Sequence, residues 1–205
     1  MSCRVKICGI TNVEDALMAC LHGADALGFV FYEKSPRYVS PTVANDIVSH
    51  LPPFVTPIAL FVDADSAQID SVIKENPRWL IQFHGNESES ECLSYQRPYI
   101  KALRMKQGDD VAALVDTYPS ASAVLLDAYK EGVPGGTGER FDWSIIPAHL
   151  SKPIILAGGL TPSNVKLAVL QVSPYAVDVS GGVEMSKGVK SELKVQEFIN
   201  GAKCV

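Results

Sequence analysis

Ala123-Val124-Leu125-Leu126-Asp127-Ala128 is an apolar run that ends in a carboxylate. A run this short and this uniformly apolar reads as a strand buried on both faces. A carboxylate at the C-terminal end of such a strand stands where α/β proteins keep their chemistry. A glycine-rich segment follows, Gly135-Gly136-Thr137-Gly138, suited to closing over a site and excluding water. Taken alone, Asp127 is better explained as the cap of the next turn. The rest of the chain reverses that preference.

Working outward, similar strand-like runs fall at residues 4–8, 25–31, 56–62, 79–83, 99–103, 153–157 and 175–179. Helical patterns stand between them. Asn12 can cap a helix with Asp15 three residues on, and Ala16, Leu17, Ala19, Cys20 and Leu21 recur on one face before Gly23. Ser40-Pro41 opens a helix to about Leu51. Ser66 begins one bearing Ile69, Val72 and Ile73, and further helices are expected at 87–95, 109–117, from Thr161-Pro162 to Leu170, and at 191–201. Phe141-Asp142-Trp143 leads a short helical turn. Strict alternation implies right-handed crossovers and a parallel sheet. Eight such units predict a (β/α)8 TIM barrel in a single domain over residues 1–205. The rival is an open doubly wound sheet. When it binds dinucleotides it carries a Gly-x-Gly-x-x-Gly turn after its first strand, and Cys8-Gly9-Ile10 is not one.

Composition narrows the class. Hydrophobic residues make up 47% and charged residues 20%, ordinary for a soluble globular chain. A net charge of -5, with both signs interspersed, argues against a nucleic-acid or anionic-membrane partner. No apolar run approaches the roughly 18 residues of a membrane span. The N-terminus leads straight into a strand pattern without signal-peptide design. The cysteines at 3, 8, 20, 92 and 204 form no Cys-x-x-Cys pair, which predicts reduced thiols and a cytoplasmic setting. The histidines are scattered, with no metal-ligand spacing.

Residues that follow barrel strands line one mouth. Here these are Cys8, Arg37, Asp63, His84, Arg104, Asp127, Gly158-Gly159 and Ser180-Gly181-Gly182. Barrels often hold phosphate with the loops after strands seven and eight, where bare backbone N–H groups face an oxyanion. The glycine turns at Gly158, Gly159, Ser180, Gly181 and Gly182 sit at those two loops. Cys8 differs from the other cysteines in ending a central strand at the mouth. A thiol becomes a base only as thiolate, which nearby cations or a helix N-terminus favour.

Several stretches carry a family resemblance. Lys6-Ile7-Cys8-Gly9-Ile10-Thr11, Gly28-Phe29-Val30-Phe31-Tyr32, Lys34-Ser35-Pro36-Arg37-Tyr38-Val39 and Gln82-Phe83-His84-Gly85 resemble the phosphoribosylanthranilate isomerases of tryptophan biosynthesis. Leu126-Asp127-Ala128, Gly135-Gly136-Thr137-Gly138, Phe141-Asp142-Trp143, Leu156-Ala157-Gly158-Gly159-Leu160 and Val177-Asp178-Val179-Ser180 continue the match in order. The resemblance implies a (β/α)8 barrel and an Amadori rearrangement of N-(5-phosphoribosyl)anthranilate, a small phosphorylated aminosugar. It implies Asp127 as general acid and Cys8 as general base, with no cofactor, because the rearrangement moves protons and no net electrons. An acid must stay protonated near pH 7 and a base must not, so the two environments should push the groups apart. Arg37 is expected to pair with the anthranilate carboxylate through two parallel hydrogen bonds. His84 and Asp178 are expected either to touch the sugar hydroxyls or to order the mouth. The protein is expected to act as a monomer or homodimer. Two departures stand out: the family more usually has leucine at Phe83 and a second serine at Gly181.

Two rivals stay open at this point. The histidine-pathway isomerase runs the same type of rearrangement, but its family resembles two carboxylates rather than a thiol and a carboxylate. A non-catalytic phosphoribosyl-binding barrel needs no acid–base pair.

Overall fold

The computed structural model describes residues 2–106, 108–128 and 142–204. Eight parallel strands close into a barrel in chain order: β1 Arg4–Cys8, β2 Ala26–Val30, β3 Thr56–Phe61, β4 Leu80–Phe83, β5 Tyr99–Met105, β6 Ala123–Ala128, β7 Ile154–Leu156 and β8 Ala176–Val179. The seam joins β1 to β8, with Lys6 level with Asp178. Strand side chains alternate between two faces. In β6, Val124 and Leu126 point outward to the helices, while Ala123 and Leu125 join Ile58, Ile100, Ala102, Ile155, Ala157 and Ala176 inside the barrel. Both faces are therefore covered, which is why these strands read as near-continuous apolar runs. Asp127 shares the inward parity of Ala123 and Leu125.

The helices are α1 Val13–Leu21, α2 Pro41–Ser49, α3 Ser66–Ile73, α4 Glu89–Ser94, α5 Val111–Asp116, α6 Val165–Val172 and α7 Glu192–Lys203. Each start has a local cause. The Asn12 side chain accepts from the Asp15 N–H, Ser40 caps α2 ahead of Pro41, and Ser88 and Glu91 form a reciprocal capping box. That box begins α4 after Glu87, which the sequence pattern had placed inside the helix. α6 also starts later than expected, because Asn164 turns back to the Thr161 N–H and the Gly159 carbonyl.

Strict strand–helix alternation is not met after β8. Between β6 and β7 the described residues hold one 3₁₀ turn, Trp143–Ile145, opened by Asp142 as its cap. A hairpin, β9 Glu184–Ser186 with β10 Val189–Lys190, was not expected and lies between β8 and α7. Phe83 faces outward and packs against Tyr95 and Tyr99. Its departure from the usual leucine therefore belongs to the helix layer and not to the mouth.

Candidate active site

Period-two alternation carries Lys6 and Cys8 of β1, Gln82 of β4, Asp127 of β6 and Asp178 of β8 to the barrel interior at its C-terminal end. Cys8, His84, Asp127 and Asp178 are all buried there. Cys8 packs with Val30 and Leu60, and its register partner is Gly28. A Cβ at Gly28 would stand 2.7 Å from the Cys8 Sγ and 3.0 Å from the Lys6 Cε. The bare glycine makes room for both side chains.

Charge surrounds the sulfur. Lys6 Nζ donates to Asp178 Oδ1 at 3.0 Å. Lys190 Nζ donates to the Cys8 carbonyl at 2.6 Å, to Glu184 Oε1 at 3.0 Å and to the Ser180 carbonyl at 3.3 Å. Burial pushes the Cys8 thiol above its ordinary value. Lys6 pulls it back, Asp178 opposes that pull, and Lys190 adds to it. Burial wins, and the thiol stays above its ordinary value. The expected lowering of this group is not met. Burial works against the Lys6 charge as well, but Asp178 and Cys8 outweigh it and hold the ammonium above its ordinary value.

Asp127 sits across the mouth. Its Oδ1 accepts from the Ala128 N–H at 2.8 Å, and its Oδ2 lies 3.3 Å from His84 Nε2 without hydrogen-bond alignment. Gln82 Nε2 stands 3.0 Å from the other ring nitrogen, Nδ1. The loop carrying His84 is pinned from behind. Arg104 donates to the His84 carbonyl, and Glu87 accepts from the N–H groups of Asp63 and Gly85 and from Lys101.

The third cluster is built on the hairpin. Arg37 donates from Nε and Nη2 to the two oxygens of Glu184, at 2.7 and 2.8 Å. Hydrogen bonds to that carboxylate raise the Arg37 guanidinium above its ordinary value, against burial. Burial pushes the Glu184 carboxyl up, but Arg37 and Lys190 outweigh it and hold the group below its ordinary range.

The two glycine turns meet. A Cβ at Gly182 would collide with the Leu160 carbonyl, so the loops after β7 and β8 are pressed together. Gly158 and Gly159 both have positive φ, at 80° and 65°, a region that glycine enters without steric cost. The Ser180 Oγ is buried with no hydrogen-bond partner among the described residues.

Residues 5–201 match the family model of N-(5'phosphoribosyl)anthranilate (PRA) isomerase. The chain belongs to the N-(5'-phosphoribosyl)anthranilate isomerase family. Curated members include that of Marinomonas sp. (strain MWYL1), 76% identical over 204 residues and covering 100% of both chains. That of Pseudomonas fluorescens (strain Pf0-1) is 60% identical over 200 residues, 98% of each. Among solved structures, phosphoribosyl anthranilate isomerase from Thermotoga maritima superposes with a TM-score of 0.90 at 40% identity, covering 99% of this chain and 100% of that one. A structure of the isomerase in complex with reduced 1-(o-carboxyphenylamino)-1-deoxyribulose 5-phosphate gives 0.83 at 37% identity, with the same coverage.

Within this isomerase family fold, the structure brings Cys8, His84, Asp127, Asp178, Arg37, Ser180 and the glycine turns to one end of one barrel. Asp178 is bound to Lys6 through Oδ1. Arg37 already has one carboxylate, that of Glu184, on the edge of its guanidinium expected to face substrate. Asp63 ties the loops together: at a φ of 47° its carboxylate accepts from the Asn86 N–H and its own N–H donates to Glu87. Gly181 lies against Arg37, since a Cβ there would stand 3.1 Å from Nη2. Its departure from serine thus bears on the guanidinium. Gly135-Gly136-Thr137-Gly138 lies outside the described residues. Lys6, Gln82, Glu184 and Lys190 were missed. Lys6 and Gln82 had a signal, each a polar residue two places before a mouth residue and so on the same strand face. Glu184 and Lys190 had none beyond the Lys187-Gly188 turn between them.

Proposed function

We propose that this mouth converts N-(5-phosphoribosyl)anthranilate to 1-(2-carboxyphenylamino)-1-deoxyribulose 5-phosphate in tryptophan biosynthesis, with Asp127 as general acid and Cys8 as general base. Asp127 protonates the furanose oxygen, and the ring opens to a Schiff base. The Cys8 thiolate then removes the proton on the sugar C2, giving an enolamine that tautomerises to the ketone. One proton is given and one taken, with no net electron transfer, so the chemistry calls for no cofactor. The rate should rise with pH as the thiolate fraction of Cys8 grows.

The observation that carries this reading is the placement of Cys8 and Asp127. Both are buried, both face inward, and both end strands at the same mouth of a chain in this family. The joined turns at Gly158, Gly159, Ser180, Gly181 and Gly182 supply backbone N–H groups for the phosphate. Arg37 presents its Nη1 side to the anthranilate carboxylate while Glu184 holds the rest of the fork. His84 stands beside Asp127, its Nε2 3.3 Å from Oδ2.

The protein acts as one (β/α)8 domain over residues 1–205 in the cytoplasm, as a monomer or homodimer. Among the described residues no helix is long and apolar enough to cross a membrane. A related structure is of monomers generated from a dimeric phosphoribosylanthranilate isomerase of Thermotoga maritima. The test of function is loss of fluorescence from freshly made phosphoribosylanthranilate, run beside the aminoaldose of histidine synthesis. Turnover of the first substrate is expected. No turnover of it, or faster turnover of the second, would refute the assignment.

A further inference from the structure

We propose that Lys6 is a positioning residue for the isomerisation: anchored by Asp178, its ammonium lies beside the Cys8 sulfur and stabilises the thiolate that takes the proton. The inference rests on Cys8 being the base. It is carried by how the nearby cations spend their donors.

The charged groups facing the Cys8 sulfur are Lys6 on its own strand, Asp178 on β8, Lys190 on β10 and Arg37 from the loop after β2. An ammonium has three protons to donate. Those of Lys190 are matched by three acceptors, the Cys8 carbonyl, the Ser180 carbonyl and Glu184. Arg37 gives Nε and Nη2 to Glu184. Lys6 donates to one acceptor only among the described residues, Asp178 Oδ1. Its remaining protons are available to sulfur, and the two side chains meet over the bare Cα of Gly28.

The placement is costly unless it serves such a purpose. Lys6 occupies an interior otherwise lined by Ile58, Ile100, Ala102, Leu125 and Ile155. A buried ion pair there adds little stability over apolar residues of similar volume. With its Cε and the sulfur crowding the same point over Gly28, Lys6 offers a fixed positive charge at the moment the thiolate forms, without solvent reorganisation. Asp178 keeps that lysine charged and aimed. It also repels the thiolate, but less strongly than Lys6 attracts it.

The test is the pH dependence of iodoacetamide alkylation at Cys8, read by peptide mass spectrometry on folded protein, beside the pH profile of kcat/KM. Lys6→Met should raise the alkylation midpoint and the ascending limb of kcat/KM together by at least about one pH unit, roughly a tenfold loss of thiolate. kcat should fall while KM changes less than about threefold. If Lys6→Met does not fold, the neutral pair Lys6→Met/Asp178→Asn is used, and its midpoint should still lie above wild type. An unchanged midpoint in a folded variant overturns the proposal, whatever happens to activity. An active Cys8→Ala enzyme would instead overturn the base assignment, and the two failures are read separately.

Discussion

Gly28 has a backbone that any residue can adopt, so its lack of a side chain is a matter of space alone. A Cβ at that position would stand 2.7 Å from the Cys8 Sγ, closer than any real contact allows. Gly28→Ala should therefore displace the sulfur and lower kcat by about 10²-fold, the scale of a 1 Å misplacement, with the circular dichroism spectrum unchanged. A wild-type kcat in Gly28→Ala would show that the sulfur position does not matter. Arg37 makes a different prediction, because its proposed role is to bind and not to transfer protons. Arg37→Ala should raise KM roughly 10- to 100-fold, the worth of a charged hydrogen bond of about 1.5–3 kcal/mol, with a smaller change in kcat. Arg37→Lys should recover only part, since an ammonium cannot make the planar two-bond fork that a guanidinium offers a carboxylate. Steady-state kinetics decide this, and an unchanged KM in Arg37→Ala removes the residue from the site.

At the scale of elements, the loop after β4 is held by a buried ion pair. Lys101 Nζ donates to Glu87 at 2.7 Å and to the Gly85 carbonyl at 2.8 Å, while the Tyr118 hydroxyl donates to the Glu87 carbonyl. Both charged side chains are buried. Lys101→Met leaves the Glu87 charge unpaired and should destabilise the fold by about 3–5 kcal/mol. Adding Glu87→Gln should restore part of it, and urea unfolding measures both. Equal stability of Lys101→Met and wild type would contradict this role. Elements such as β6 were legible because a strand covered on both faces has no choice of composition. The hairpin at 184–190 was not, because nothing in its short polar sequence shows a sheet. Its two strands are tied to the barrel by Lys190, and Glu184 finds Arg37 across 147 residues of chain. The same holds for Lys6 and Asp178, 172 residues apart, which only barrel closure brings level. Residues that end strands announced the mouth. Their partners, paired through the fold, did not.

At the scale of the whole molecule, the far end of the barrel is closed by one carboxylate. Asp25 accepts from Arg4 at 3.0 Å and from the Val5 N–H at 2.8 Å in β1, and pairs with Lys203 at 2.8 Å at the end of α7. Burial pushes the Asp25 carboxyl up, but Lys203, the Val5 N–H and Arg4 outweigh it and hold the group below its ordinary value. A carboxyl whose folded value lies below its unfolded one stabilises the fold above the unfolded value and ceases to do so as pH falls through the folded one. Asp25→Asn should therefore cost about 1–3 kcal/mol at pH 7, toward the lower end because the site is partly exposed, and much less at pH 3. Unfolding curves at the two pH values test this, and an equal deficit at both would refute it.

The barrel sets β1 and β6 on different sides of one mouth, and the proposed chemistry needs a proton given from one side and taken from the other. The most direct measurement is kcat/KM for phosphoribosylanthranilate in Cys8→Ala and in Asp127→Asn, each checked for a native circular dichroism spectrum and cooperative unfolding. Both variants should fold and each should lose at least the ~10²-fold typical of a general acid or base. A folded Cys8→Ala or Asp127→Asn enzyme that turns over at near wild-type rate would contradict the acid–base pair.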